Sequence, residues 1–163
     1  MMALGRIGAY FLNTTFTISL FMFNPTQDDV RRFFCNTYHK SVAREILTPL
    51  ESIAADWIMQ HPEYANDLVD VNQALEKEYT VDQGKTNPFL HLSMHLSIAE
   101  QLSINQPVGI TPAYTKLAQR LQSEHEAHHA VMECLGNMIW DSQRNGTPFD
   151  GAAYVQAVQL MLK

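Results

Sequence analysis

At three of the predicted helix starts, a helix-capping residue is followed directly by a proline: Thr48–Pro49, Asn87–Pro88 and Thr111–Pro112. Threonine and asparagine side chains accept hydrogen bonds from the unbonded N–H groups of a first helical turn. Proline suits the first helical position because it has no N–H of its own to leave unbonded. No segment shows the period-two alternation of a half-buried strand. The chain is therefore predicted to be an all-α protein.

Further signals set the helices of the first half. Thr26 is predicted to cap a helix whose first turn holds Asp28 and Asp29, where the helix dipole favours negative charge. Glu51 completes a capping box with Thr48. The second helix should end near His61–Pro62, because residues before proline avoid the helical conformation. One apolar face of the first helix is predicted to contain Val30, Phe33, Phe34, Val42 and Ile46.

The remaining chain is less evenly patterned. The stretch from Asp67 to Thr86 is interpreted as a short helix with an irregular connection. FLHLSMHLSIAEQLSI is apolar on nearly every side, which is typical of a helix surrounded by others. A long helix is predicted from Thr111–Pro112 to about Arg144, with a stop at Asn145–Gly146. A last helix should start near Asp150 and bury Tyr154, Val158 and Met161. The predicted architecture is one domain, residues 22–163, folded as a bundle of about five helices.

The first 21 residues, MMALGRIGAYFLNTTFTISLF, superficially resemble a signal peptide because Arg6 precedes an apolar stretch. Polar residues interrupt that stretch, and no small-x-small cleavage site follows it. The segment is also too short and too polar to span a bilayer. Two alternatives are open: residues 1–21 are an N-terminal extension, or the natural start is Met22.

The net charge limits the expected partners, and the cysteine pattern indicates the cellular compartment. The net charge is −6, and the basic residues form no stripe, so neither nucleic acid nor a membrane surface is an expected partner. Cys35 and Cys134 are far apart and belong to no CxxC pair. They are predicted to be free thiols packed as small apolar residues in a cytoplasmic protein. Assembly into a homo-oligomer is left open.

Histidines on two predicted helices indicate a metal site. His91 and His95 lie one turn apart on the apolar helix, and His125, His129 and Glu133 repeat that spacing on the long helix. Antiparallel packing of the two helices would aim both sets at one point. A divalent cation there would give every buried imidazole and carboxylate a partner. These five residues are the candidate ligands, for zinc, iron, manganese or nickel.

Two other interpretations of the same residues stay open. The first is a buried hydrogen-bond network in a structural or interaction protein without enzymatic activity. HEAHH also matches the HExxH motif of zinc hydrolases, in which Glu126 would be the general base between two histidine ligands. The hydrolase interpretation is less favoured, because no strand signal precedes the motif. Whether the protein is an enzyme is therefore left open, and Glu126 is a weak catalytic candidate.

Other polar residues rank lower as ligands. Glu100 is rotated away from the face that carries His91 and His95. His39 and His61 have no nearby histidine or acid at ligand spacing, and His61 precedes a proline in a predicted loop. Both are interpreted as structural or solvated.

Several stretches resemble the bacterial domain-of-unknown-function family 1841. They are FNPTQDDVRRFF, HPEY, NPFLHLSMHLSIAEQLSINQPVGI and HEAHHAVMECLGNMIW. The resemblance runs from about Phe23 to about Met161 and aligns the start of the chain with Met22. The family pattern HEA.H matches His125, Glu126 and His129, whereas His128 occupies a variable position and ranks lower as a ligand. The resemblance implies no particular activity, substrate or cofactor.

Overall fold

The computed structural model describes residues 25–79 and 86–163. Within these ranges there are eight α-helices, one turn of 3-10 helix at Pro62–Tyr64, and no strand. The all-α prediction is confirmed, but the predicted number of about five helices is wrong. The doubtful segment 1–21 and Met22 lie outside the described residues. The helices are α1 (Gln27–Ala43), α2 (Pro49–Gln60), α3 (Ala65–Leu68), α4 (Val71–Glu76), α5 (Pro88–Ile104), α6 (Ile110–Leu121), α7 (Glu124–Asn145) and α8 (Gly151–Leu160).

The predicted starts of α1, α2 and α5 are confirmed. The Thr26 hydroxyl accepts from the Asp29 N–H at 3.2 Å, and the Asp29 carboxylate accepts from the Thr26 N–H at 2.9 Å. These bonds with Thr26 hold the pKa of Asp29 below its usual value. Thr48 and Glu51 form the same capping box, and Asn87 Oδ1 accepts from two N–H groups of the first turn of α5. Local side-chain chemistry thus fixes all three starts.

The predicted long helix from Thr111 to about Arg144 is wrong, because the chain breaks between α6 and α7. Gln122 has a left-handed backbone conformation with φ 53°, which ends α6. Ser123 then caps α7, and its hydroxyl accepts from the Glu126 N–H at 3.1 Å. Ser123 and Glu126 have the Ser-x-x-Glu spacing that marks a helix start. The predicted stop at Gly146 is confirmed, since Gly146 is a left-handed C-cap with φ 62°.

The Ser123→Ala substitution should lower the free energy of unfolding by about 1 kcal/mol, because the cap bond to α7 is lost. Urea denaturation followed by circular dichroism measures this loss. Ser52→Ala is the control, since Ser52 is exposed within α2 and makes no cap bond there. An unchanged midpoint for Ser123→Ala would show that the break between α6 and α7 does not depend on this cap.

Burial differs from the predicted apolar faces at the ends of two helices. Arg44 adopts a left-handed conformation, φ 56°, and ends α1 at Ala43. Val42 and Ile46 are therefore exposed, Ile46 by 95%. Met161 is also exposed, because it lies just beyond the end of α8. The predicted burial of these three residues is wrong.

The described residues form two compact units, and the boundary between them falls within α5, after Leu96. In the N-terminal unit, residues 25–79 and 86–96, α1 packs against α2, α3 and α4. Arg31 of α1 donates to the carbonyls of Ala74 and Leu75 at the end of α4, at 2.8 and 3.0 Å. The core of this unit contains Phe34, Cys35, Ala54, Trp57, Ile58, Leu68, Ala74, Phe89, Leu92 and Leu96.

In the C-terminal unit, residues 97–163, α6, α7 and α8 pack against one another. The buried Tyr154 hydroxyl donates to Gln101 Oε1 at 3.0 Å, and burial raises the pKa of this tyrosine. The core of this unit includes Ile98, Ile110, Leu117, Val131, Leu135, Tyr154 and Val158. The single domain over residues 22–163 stays a prediction.

Both cysteines are buried and free, as predicted. Burial raises the pKa of Cys35 to about 11, and the nearby charge of Asp70 adds to this effect. Burial also raises the pKa of Cys134. Of the helices in residues 25–79 and 86–163, none combines the length and apolarity that a bilayer crossing requires.

Candidate metal centre

Three histidines of the N-terminal unit place their Nε2 atoms close together. His95 Nε2 lies 2.9 Å from His61 Nε2 and 3.1 Å from His91 Nε2. The exposed fractions are 0% for His95, 4% for His61 and 8% for His91. These three residues are called the histidine cluster below.

Two short pieces of local structure position the histidine cluster. His91 and His95 lie one turn apart on α5, whose start is fixed by the Asn87 cap. α2 ends at Gln60, immediately before His61 and Pro62. His61 has an extended φ of −125°, and its N–H donates to the Ile58 carbonyl at 3.1 Å. The side chain of His61 therefore leaves the end of α2 toward α5.

Aromatic rings enclose the histidine cluster. The Trp57 ring stacks on His95, with centroids 3.9 Å apart and planes 12° from parallel. The Tyr64 ring stacks on His61 at 5.3 Å and contacts His91 edge-on at 5.5 Å. Burial raises the pKa of Tyr64 to about 12, with Glu63 and Asp67 adding to the effect. Because these rings exclude water, the ring nitrogens of the cluster need partners within the site.

A carboxylate fixes the tautomer of one cluster histidine. His61 Nδ1 lies 2.9 Å from Glu63 Oε1, and a carboxylate only accepts, so Nδ1–H is the donor. In neutral His61 the lone pair is then on Nε2, the atom that faces the other two histidines. Burial alone would raise the pKa of Glu63, but the bond from His61 and the charges of His61 and His91 lower it.

The Nε2 spacing is also that of a coordination shell. Metal–nitrogen bonds of about 2.05 Å place adjacent ligand nitrogens about 3.3 Å apart in a tetrahedron and about 2.9 Å apart in an octahedron. The two distances in the cluster, 2.9 and 3.1 Å, are close to this range. Without a cation, His95 Nε2 carries at most one N–H, although two ring nitrogens lie within hydrogen-bond distance of it. A divalent cation would bind all three lone pairs at once.

The candidate residues of α7 lie in the C-terminal unit. The rings of His125 and His129 are 4.3 Å apart, and His129 Nδ1 donates to the His125 carbonyl oxygen at 2.8 Å. Both side chains are half-buried, whereas Glu126 and Glu133 are exposed. A common ion bound by the histidines of α5 and α7 stays a prediction.

His128 is part of the core of the C-terminal unit. Its exposed fraction is 3%, and its ring contacts Tyr114 edge-on at 5.5 Å. Burial lowers the pKa of His128 to about 3, and the charges of His129 and His125 lower it further. His128 is therefore neutral near pH 7.

The family model of a domain of unknown function, DUF1841, matches residues 26–160. The chain belongs to the DUF1841 family. No curated protein and no solved structure matches the chain. The matched range of this DUF1841 protein includes the histidine cluster and the candidate residues of α7.

The sequence does not predict two residues of the candidate site, His61 and Glu63. His61, interpreted as structural or solvated, is buried in the cluster, so it is not a solvated residue, and its proximity to His91 and His95 was not predicted. Glu63 is only two residues from His61, but this spacing alone does not indicate a contact between the two side chains. No spacing rule joins His61 to His95, which is 34 residues later in the sequence. His39 is exposed and bonds to the Val69 carbonyl at 2.8 Å.

Proposed function

We propose that this DUF1841 protein binds one divalent transition-metal ion through Nε2 of His61, His91 and His95. The supporting observation is the approach of His95 Nε2 to the other two Nε2 atoms, at 2.9 and 3.1 Å within a buried site. Imidazole nitrogens suit zinc, iron and nickel better than magnesium or calcium. Zinc is the preferred ion, because it needs only four ligands and three imidazoles supply most of that shell.

The ligand that the sequence predicts on α7 is kept as part of the proposal, and His129 is the best candidate on that helix. Metal-binding histidines usually donate their second ring N–H to a carboxylate or a carbonyl. His129 donates Nδ1–H to the His125 carbonyl, which places the lone pair of the neutral ring on Nε2. The exposure of Glu133 favours His129 over this carboxylate. His125 and Glu133 remain secondary candidates.

The hydrogen-bond network is the second candidate function. The 2.9 and 3.1 Å contacts are also hydrogen-bond distances, and Trp57 stacks on the cluster as it would in a structural core. The HExxH hydrolase has less support, because Glu126 is exposed and residues 25–79 and 86–163 contain no strand to align a peptide. A cytoplasmic location is proposed on the basis of the two buried free thiols.

Metal uptake by the full chain, purified without a histidine tag, tests the proposal. After dialysis against zinc chloride, elemental analysis should find about one zinc per chain, as expected for a single site. Co²⁺ in place of zinc should give the intense visible absorption of a four-coordinate nitrogen site. Protein that retains no zinc and gives no cobalt spectrum would contradict the proposal.

Trp57 gives a local reporter of the same event. The sequence has two tryptophans, so the Trp140→Phe variant leaves Trp57 as the only one. Cu²⁺ is expected to quench Trp57 fluorescence, because this ring stacks directly on His95. The same titration with Mg²⁺ is the control and should leave the emission unchanged. Quenching that requires far more Cu²⁺ than one equivalent would indicate binding elsewhere.

A further inference from the structure

We propose that Glu63 orients His61 for metal binding and strengthens it as a ligand, an inference that rests on the metal-binding function above. The carboxylate accepts the Nδ1–H of His61 at 2.9 Å. This bond directs the ring and keeps the lone pair of the neutral imidazole on Nε2. A carboxylate in this position also raises the basicity of the coordinating nitrogen. Glu63 is thus a positioning residue that does not itself contact the ion.

His61 needs such a residue more than the other two cluster histidines. His91 and His95 are held by the backbone of α5, whereas His61 follows the last residue of α2. Glu63 lies in the 3-10 turn Pro62–Tyr64, which the Tyr64 N–H closes by donating to the His61 carbonyl at 3.0 Å. This turn returns the Glu63 carboxylate to the His61 ring. Ligand and orienting residue are therefore held by one short turn.

Charge gives Glu63 a second effect. Three imidazoles and a fourth histidine would all be neutral ligands, so they leave the double positive charge of the ion uncompensated. The Glu63 carboxylate is bonded to the cluster through His61. The Glu63 side chain is 57% exposed, whereas that of His61 is 5% exposed. Glu63 therefore contacts both the buried His61 ring and the solvent. The negative charge of the Glu63 carboxylate favours binding of a cation by the His61 ring.

The experiment compares the zinc affinity of the wild-type full chain with that of Glu63→Gln and Glu63→Ala, by competition with a chromogenic chelator. Glu63→Ala should weaken zinc binding by about 10- to 100-fold, the usual effect of removing such a partner. Glu63→Gln should weaken binding less, because its amide oxygen still accepts from Nδ1–H while the charge is lost. The matched control is Glu76→Gln, which removes an exposed carboxylate from α4 and should leave the affinity unchanged.

Nitrogen-15 NMR of the histidine rings without metal gives a readout that global stability would not change. His61 should show a protonated Nδ1 in the wild type and in Glu63→Gln, and should lose this preference in Glu63→Ala. Zinc binding by the wild type with equal affinities in all variants would overturn the role of Glu63 alone. A wild type that binds no zinc would overturn the metal-binding function and this inference together.

Discussion

The His95→Phe variant should bind zinc about 100-fold more weakly than the wild type, or not at all. Structural zinc sites with four ligands bind with about 10–16 kcal/mol, or about 2.5–4 kcal/mol per ligand, and each 1.4 kcal/mol is tenfold in affinity. Phenylalanine retains an aromatic ring against Trp57 but has no nitrogen for the ion. The zinc affinity measured by chelator competition, together with the unfolding midpoint without metal, checks this prediction.

His39→Ala is the matched control for His95→Phe. His39 is an exposed histidine of the same unit, and its ring bonds to a backbone carbonyl outside the cluster. Its loss should leave zinc binding unchanged, which excludes non-specific binding by surface imidazoles. If the cluster is only a hydrogen-bond network, His95→Phe lowers the unfolding midpoint, because His61 and His91 lose a partner, and the wild type binds no zinc. The two functions therefore predict different results for the same pair of proteins.

Helix starts were predictable because each depends on atoms within a few residues. The Thr26 and Thr48 hydroxyls bond to an N–H three residues later, and Asn87 bonds two and three residues later. These contacts need no tertiary structure, so the sequence alone indicates them. The all-α class follows from the same signals.

The break between α6 and α7 was missed because two local signals competed. The apolar spacing continues from Leu117 to Val131, and both residues are buried. Ser123 with Glu126 nevertheless forms a start signal, and Gln122 takes a left-handed conformation that favours glycine or asparagine. The continuous apolar spacing predicts one helix, and the Ser123–Glu126 pair has no glycine or proline beside it to mark a break. The structure shows that the capping pair is the better indicator here.

The candidate site was only partly predictable for a related reason. His91 and His95 share a helix, so their proximity follows from the helical period. His61 reaches them only because α2 ends where it does and packs in the same core through Trp57 and Ile58. That placement depends on tertiary packing, which leaves no periodic trace in the sequence. The Glu63 partner then follows from the turn at Pro62, once His61 is known to be buried.

The proposed ligand on α7 gives the second large expected effect, weaker zinc binding in His129→Ala. The spacing of His125 and His129 suggests two ligands, but their hydrogen bonds indicate that the two residues have different roles. His129 donates Nδ1–H to a carbonyl, as metal-binding histidines do, whereas the group of His125 that accepts this bond is its backbone oxygen. Replacing the His125 side chain by alanine retains that carbonyl. Comparing His129→Ala with His125→Ala therefore tests whether His129 is the ligand and His125 only orients it through its backbone carbonyl.

His129→Ala should weaken zinc binding by about 100-fold, the expected loss of one ligand in four. It should also change the cobalt spectrum, because water replaces an imidazole in the ligand set, and the absorption should weaken where further water raises the coordination number. His125→Ala should retain the cobalt spectrum and most of the affinity. Equal losses in both variants would instead support two ligands from the HExxH motif. An unchanged affinity in His129→Ala would exclude His129 as a ligand and leave an ion bound by His61, His91 and His95 alone.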